Sequence, residues 1–434
     1  VLAALAVGYL LGGGLTGKDS TDSVAAVAAP RAGVVVLPES AKVAYGAAPI
    51  GYDSPMLTIS ADGSELVYVG RDGVGSRLYY HDLSSFDPPS PIPGTEGALQ
   101  AYFSPFEPAV AFYTNDKLAR IDVTGDRLQV LGDVYSPTRL IWADDRKIYL
   151  GDAQASKLRV FPEDGGEPED PVDLPNHGLS DVLPGGGRVL YHEKLGHLRA
   201  EFGVVKLLDL AGDEARVVLT NAYDATVHGD RIYFIRDSAL LAAPFDVDAG
   251  EVTGEPEIVV RDVAVDSIFG QAQVALSSSG SLAYLPGGDR ALGTIAWVNR
   301  DGERGTLPVE PRVYGTIDLS PDDRRIAVGV GEVRDFVWIY DIERRTGRKL
   351  PSSRSAGWPY WNSKGDSITY SQSGEQPWLL EQPVDSRGEP RRITEIPFVV
   401  SSSSWSPDDS LLATSMQGVK IMDAGGELVA DFPG

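Results

Sequence analysis

Thr316–Val330 reads TIDLSPDDRRIAVGV: a short alternating apolar run, a polar turn at Ser320-Pro321-Asp322-Asp323, then a second apolar run. The passage returns at Ser406-Pro407-Asp408-Asp409, followed by SLLATSM. Looser copies start at Ser60 (SADGSELVYVG), Ser104 (SPFEPAVAFYT), Ala143 (ADDRKIYLG), Leu183 (LPGGGRVLYHE), His228 (HGDRIYFIRD), Ser277 (SSSGSLAYLPG) and Asn362 (NSKGDSITYSQ). These nine copies stand 39 to 49 residues apart. A constant period of this size marks a repeat architecture. Around Ser320 each unit reads as two hairpins: TIDLS, RRIAVGV, FVWIYDI, and RKLP after the Thr346-Gly347 turn. Period-two alternation and Val, Ile, Tyr, Phe and Trp suit pleated strands, and the intervening Gly, Asp, Asn and Pro suit turns.

A four-stranded sheet with two apolar faces has to be covered on both sides. Radial stacking of copies does this and leaves only short edges. The expected fold is therefore all-β, a closed propeller of eight or nine four-stranded blades over residues 34–434. A β-sandwich or a row of small barrels fits so regular a period less well.

The chain has 434 residues, 42% apolar and 23% charged, with net charge −24. That sign does not suit nucleic acid or anionic lipid as partners. Cysteine is absent, which removes c-type haem, cysteine-ligated clusters, cysteine zinc sites and thiol nucleophiles. The first seventeen residues, VLAALAVGYLLGGGLTG, carry no charge. As a helix they span about 25 Å, near the ~30 Å of a bilayer core. A retained transmembrane anchor over 1–17 is expected ahead of a cleaved signal peptide, with a flexible tether over 18–33 (KDSTDSVAAVAAPRAG). Gly12, Gly13 and Gly14 would let the anchor pack closely against another helix, or would mark its frayed end.

From Ile59 to Val123 the runs ISADGSELVYVGRDG, LYYHDL, PIPGTEGA, AYFSPF and DKLARIDV follow in order. LLAAPFDVDAGEVTGEP (Leu240–Pro256), SSSGSLAYLPGG and SSSWSPDD continue the pattern. This resembles the extracytoplasmic propeller of bacterial transmembrane serine/threonine kinases, built from TolB-like, WD-type repeats, and covers the chain from about residue 55 onward. The PGTEGA run and the APFD-to-VTGEP turn are its specific part. The resemblance implies a propeller on the periplasmic side of the inner membrane, with no catalytic residue in the propeller. The chain departs from the family at Ser104-Pro105-Phe106-Glu107-Pro108, which lacks the usual glycine turn, and in holding no kinase motif: no V-A-I-K lysine, H-R-D or D-F-G.

Other motifs fail on their chemistry. In GGGLTGK (Gly12–Lys18) the next residue is Asp19, where a phosphate loop needs Ser or Thr. In His192-Glu193-Lys194-Leu195-Gly196-His197 the histidines are five apart on a predicted strand, not four apart on a helix. Asp246–Glu251 (DVDAGE) lacks the ligand and glycine positions of a calcium loop and reads as a hairpin turn. No G-x-S-x-G elbow occurs. Trp142, Trp297, Trp338, Trp361 and Trp405 are expected in the core between blades.

No catalytic, metal-binding or cofactor-binding residues are expected, and the chain is read as non-enzymatic. Its expected role is that of a scaffold presenting rigid loops to other protein subunits of a membrane assembly, for which a photosynthetic or respiratory complex is one host. The contact loops are the proline-rich one (Phe86, Pro88, Pro91, Pro93) and the acidic one (Glu163, Asp164, Glu167, Glu169, Asp170). The alternative is the ligand-sensing region of a kinase whose catalytic domain lies outside this sequence.

Overall fold

All nine repeated passages are β-hairpins, each joining the first and second strands of an antiparallel sheet. The computed structural model describes residues 4–9, 33–44, 55–72, 75–152, 156–174, 177–193, 203–212, 215–268, 270–289, 291–331, 335–352, 354–373, 376–385, 390–396, 403–415 and 418–433. Around Ser320 the expected order holds: Arg312–Leu319, Arg325–Gly331, Phe336–Asp341 and Thr346–Lys349 pair in sequence.

The turns explain why the motif repeats. Ser60, Ser320 and Ser406 each donate through Oγ to the Asp two residues on, at 2.6, 2.5 and 2.6 Å. The same oxygens accept the backbone N–H five residues on, from Glu65, Arg325 and Leu411, at 2.9, 2.9 and 3.0 Å. Asn362 takes this role with its amide oxygen, accepting from Ser367 N at 3.1 Å. A Ser or Asn at the strand end thus satisfies a turn N–H that the ladder leaves unpaired.

The chain divides into two compact units, one reaching Arg290 and the other running from Ala291 to Gly434. Six of the nine hairpins belong to the first unit and three to the second. In the first unit, the leading strands of sheets one to five are Leu57–Ile59, Gln100–Phe103, Pro137–Trp142, His177–Val182 and Tyr223–His228. Sheet six has two hairpin strands, Val274–Leu276 and Ser281–Tyr284, and is extended by Ala4–Tyr9 and then Gly33–Val36. The second unit holds sheets seven to nine, led by Arg312–Leu319, Ala356–Trp361 and Ser403–Trp405.

The expected N-terminal helix is corrected here. Ala4–Tyr9 is a strand, with Ala6 opposite Tyr284 and Tyr9 opposite Ser281. An apolar run this short can satisfy its backbone in either way. The edge of Ser281–Tyr284 supplies the partners that favour extension over a helix. The remainder of the proposed anchor, with Gly12, Gly13 and Gly14, and the tether up to residue 32 lie outside the described residues. Among the described residues there is no α-helix, only the 3₁₀ turn Glu39–Ala41, and no helix long and apolar enough to cross a membrane.

Apolar clusters fill the space between successive sheets. One joins Val67, Val69 and Leu78 of sheet one to Phe103, Val110 and Phe112 of sheet two; another joins Leu190 and Val205 of sheet four to Ile232 and Phe234 of sheet five. Each such side chain contributes about 1.5–3 kcal/mol by leaving water. Trp142 and Trp361 sit in these cores as expected, but Trp297 is half exposed. Among the described residues the strand Ala296–Val298 pairs only with Arg304–Thr306, and so small a sheet has little apolar surface to lay over an indole.

Leading strands, or the residues just before them, are also stapled to one another by polar side chains. Thr58 Oγ1 accepts from Phe103 N at 3.0 Å, Gln100 Oε1 from Leu140 N at 2.9 Å, and Asp181 Oδ2 from Val227 N at 2.8 Å. Asp224 Oδ2 accepts from Ala272 N at 2.5 Å, and Gln273 Oε1 from Met56 N at 2.8 Å. The first four staples span 45, 40, 46 and 48 residues, which is the sequence period itself. The fifth spans 217 residues and ties sheet six to sheet one. Gly63, at φ 77, packs where a Cβ would collide with Ser281 Oγ, so the same pair of sheets meets closely at the turns as well.

Candidate functional site: a polar cavity in the first unit

The leading strands of sheets three, four and five are each interrupted by a register shift, between Pro137 and Leu140, Leu179 and Asp181, and Tyr223 and Thr226. A bulge releases residues from the ladder and re-aims their side chains. Here it frees Arg139, Ser180 and Asp224. Asp224 sits at φ 48, a left-handed conformation that Asp tolerates better than most residues.

Arg139 and Asp224 meet at 2.5 Å (Nη1 to Oδ1), with 13% and 6% of their side-chain surfaces exposed. Burial raises the Asp224 carboxyl above its ordinary value, against the pull of Arg139. Asp181 accepts three bonds, from Thr226 Oγ1 at 2.7 Å, Val227 N at 2.8 Å and Val182 N at 2.9 Å. Burial nevertheless lifts it to about 6, because three donors and the Arg139 charge only partly replace lost hydration. Tyr102, from sheet two, has its phenol raised by the same desolvation.

Tyr102, Arg139 and Asp224 border a cavity of ≈ 150 Å³, and Asp181 lies behind Thr226. Gln100, Tyr102, Arg139, Asp224 and Thr226 supply its polar wall, and Leu57, Phe103, Ile235, Leu240 and Val274 its apolar wall. Gln100 and Asp224 are committed to staples. Among the described residues, Arg139 makes one hydrogen bond, through Nη1, and the Tyr102 hydroxyl makes none. The cavity therefore offers N–H and O–H groups beside a carboxylate. Among the described residues no group of three or more His, Asp or Glu side chains is placed to hold a metal ion.

Sequence reasoning passed over Arg139, Asp181 and Asp224. Their signal was a charged residue inside the apolar strand just before a repeat turn, as in TRLIWADD, LSDVLPGG and YDATVHGD. The loops singled out from sequence divide. Phe86 is fully exposed at 106%, and Pro88, Pro91 and Pro93 are exposed beside it. Asp164, Glu167, Glu169 and Asp170 are exposed as well, but Glu163 is 5% exposed. It accepts from Trp142 Nε1 at 2.8 Å and from Arg146 Nη1 at 2.5 Å, so it is a structural anchor of that loop. Of the HEKLGH motif, His192 is buried in Arg188–Glu193 and the residues from Lys194 lie outside the described ones. DVDAGE is a hairpin turn, with Phe245 opposite Val252 and Asp246 opposite Glu251.

No protein-family model matches this sequence, and no curated protein does. Among solved structures, the tricorn protease crystal structure is similar at 14% identity and a TM-score of 0.37, covering 86% of this chain and 44% of that one. The nidogen/laminin complex is similar at 14% identity and a TM-score of 0.35, covering 46% of this chain and 78% of that one. The chain thus spans less than half the length of the tricorn chain. Likenesses this weak assign no activity, and the all-β, propeller-like description rests on the repeated four-stranded sheets themselves.

Proposed function

We propose that this chain is a non-catalytic interaction scaffold built on propeller-like bodies. In this reading the six sheets of the first unit are blades closing as a ring, and the three sheets of the second are blades of the same kind. The Gln273–Met56 staple and the pairing of Ala4–Tyr9 with Ser281–Tyr284 support closure of the first. The partner is another protein subunit. The kinase-propeller likeness adds that it lies at the outer face of a bacterial membrane, a placement that no longer rests on an N-terminal helix.

The observation carrying the scaffold role is Phe86. A phenyl ring held wholly in water forgoes about 1.5–3 kcal/mol of burial, and Pro88, Pro89, Pro91 and Pro93 stiffen the chain beside it. An aromatic residue on a rigid loop is what an interface anchor requires. Quantitative capture from solubilised membranes, using the full chain as bait, tests this. Phe86→Ala should lower recovery of a specific co-purifying protein at least about tenfold while leaving the thermal midpoint unchanged. Recovery of the same proteins in equal amounts by both baits would refute it.

A further inference from the structure

We propose that the cavity of the first unit binds a small uncharged molecule bearing neighbouring hydroxyl groups, a polyol or monosaccharide. The inference goes beyond the scaffold reading and does not depend on it.

The polar wall is mixed in kind. Arg139 faces the space with N–H groups that find no acceptor among the described residues, and Tyr102 offers a hydroxyl that both donates and accepts. Asp224 gives each carboxylate oxygen to one donor, Arg139 or Ala272 N, which leaves each a second lone pair. Thr226 Oγ1 spends its proton on Asp181 and can still accept. A hydroxyl is the smallest group able to answer both donors and acceptors, and adjacent hydroxyls can answer Arg139 and Asp224 together.

Charge narrows the class further. Arg139 and Asp224 already neutralise each other, and Asp181 lies behind them. An anion reaching Arg139 would meet two carboxylates, and a cation reaching Asp224 would meet the guanidinium. Either would also surrender its hydration in a half-apolar space. A neutral ligand escapes both penalties, and its C–H faces can lie on Leu57, Phe103, Ile235, Leu240 and Val274. The volume, ≈ 150 Å³, equals that of an engineered cavity that takes up benzene. It holds a three- to six-carbon molecule and excludes an oligosaccharide.

The test is titration of the full chain with glycerol, D-glucose and D-galactose, followed by NMR or calorimetry, with glycine and acetate as charged comparators. At least one neutral probe should saturate with a Kd near about 1 mM, and its affinity should be insensitive to salt. Tyr102→Phe should weaken that binding at least about fivefold by removing one hydroxyl partner, with the thermal midpoint held. Arg139→Lys should weaken it further. Phe86→Ala should bind the probe like the unaltered chain, which separates this site from partner capture. Absence of saturable binding by all three neutral probes up to about 50 mM overturns the proposal, as does tighter binding of glycine or acetate. Unchanged affinity in Tyr102→Phe would place the ligand elsewhere and overturn it too.

Discussion

The two units use one staple in different surroundings. In the first, Asp224 of the leading strand of sheet five accepts a backbone N–H from the chain that follows, and it is enclosed and paired with Arg139. In the second, Asp318 of sheet seven accepts Trp361 N of sheet eight at 2.7 Å across 43 residues, with no ion pair among the described residues. Asp318 is half-buried where Asp224 is enclosed, although burial raises its carboxyl above the ordinary value as well. The lesson is that a repeat fixes the bond, whereas the bond's energetic weight depends on how much water the neighbouring sheets exclude.

Removing the enclosed carboxylate should do the most damage. Asp224→Ala strands a buried guanidinium and a buried amide, and should cost the first unit about 3–5 kcal/mol in chemical unfolding. A loss no larger than that of Asp318→Ala would erase the contrast between the units.

The next effect is on pH dependence, and its sign differs between buried and turn carboxylates. Burial raises Asp181 to about 6, above its unfolded value of about 3.9. The folded state therefore holds this proton more tightly, so its stabilising contribution is complete below about 4 and is lost as pH rises through about 6. Asp408, lowered to about 2 by bonds from Ser406 and Ser410, acts in reverse. It stabilises above about 4, and that contribution fades as pH falls through about 2. Asp181→Asn should flatten the first unit's stability between about pH 4 and 6, and Asp408→Asn should leave that window unchanged. Melts across this range check both.

Asp318→Ala should cost least, about 1 kcal/mol in the second unit, because Asp318 is only half-buried and its removal strands no buried guanidinium. A loss as large as that of Asp224→Ala would mean that solvent does not reach this staple.

Much of the fold was legible because its signals are local. The polar turn, Ser-x-Asp in three of its copies, and the alternation around it lie within about twelve residues, and all nine passages became hairpins. Two features were not legible. Ala4–Tyr9 is as apolar as a membrane helix, and its strand state depends on an edge at Ser281–Tyr284, far along the chain. Glu163 stands in a run of exposed carboxylates, and only the approach of Trp142 and Arg146 removes it from solvent. The cavity was hidden for a related reason. Arg139 and Asp224 are 85 residues apart, and bulges that no composition records turn them toward each other.

By itself, then, the sequence determined the unit of construction: a strand, a polar turn and a second strand, repeated because each sheet carries two apolar faces that water cannot cover. The grouping of those sheets as six and three, the recruitment of the first residues into sheet six, and the meeting of one guanidinium with a carboxylate 85 residues away were decided only in three dimensions. They depend on which distant edges and charges come together, and hydrogen bonding and desolvation act on distance in space, not on separation along the chain.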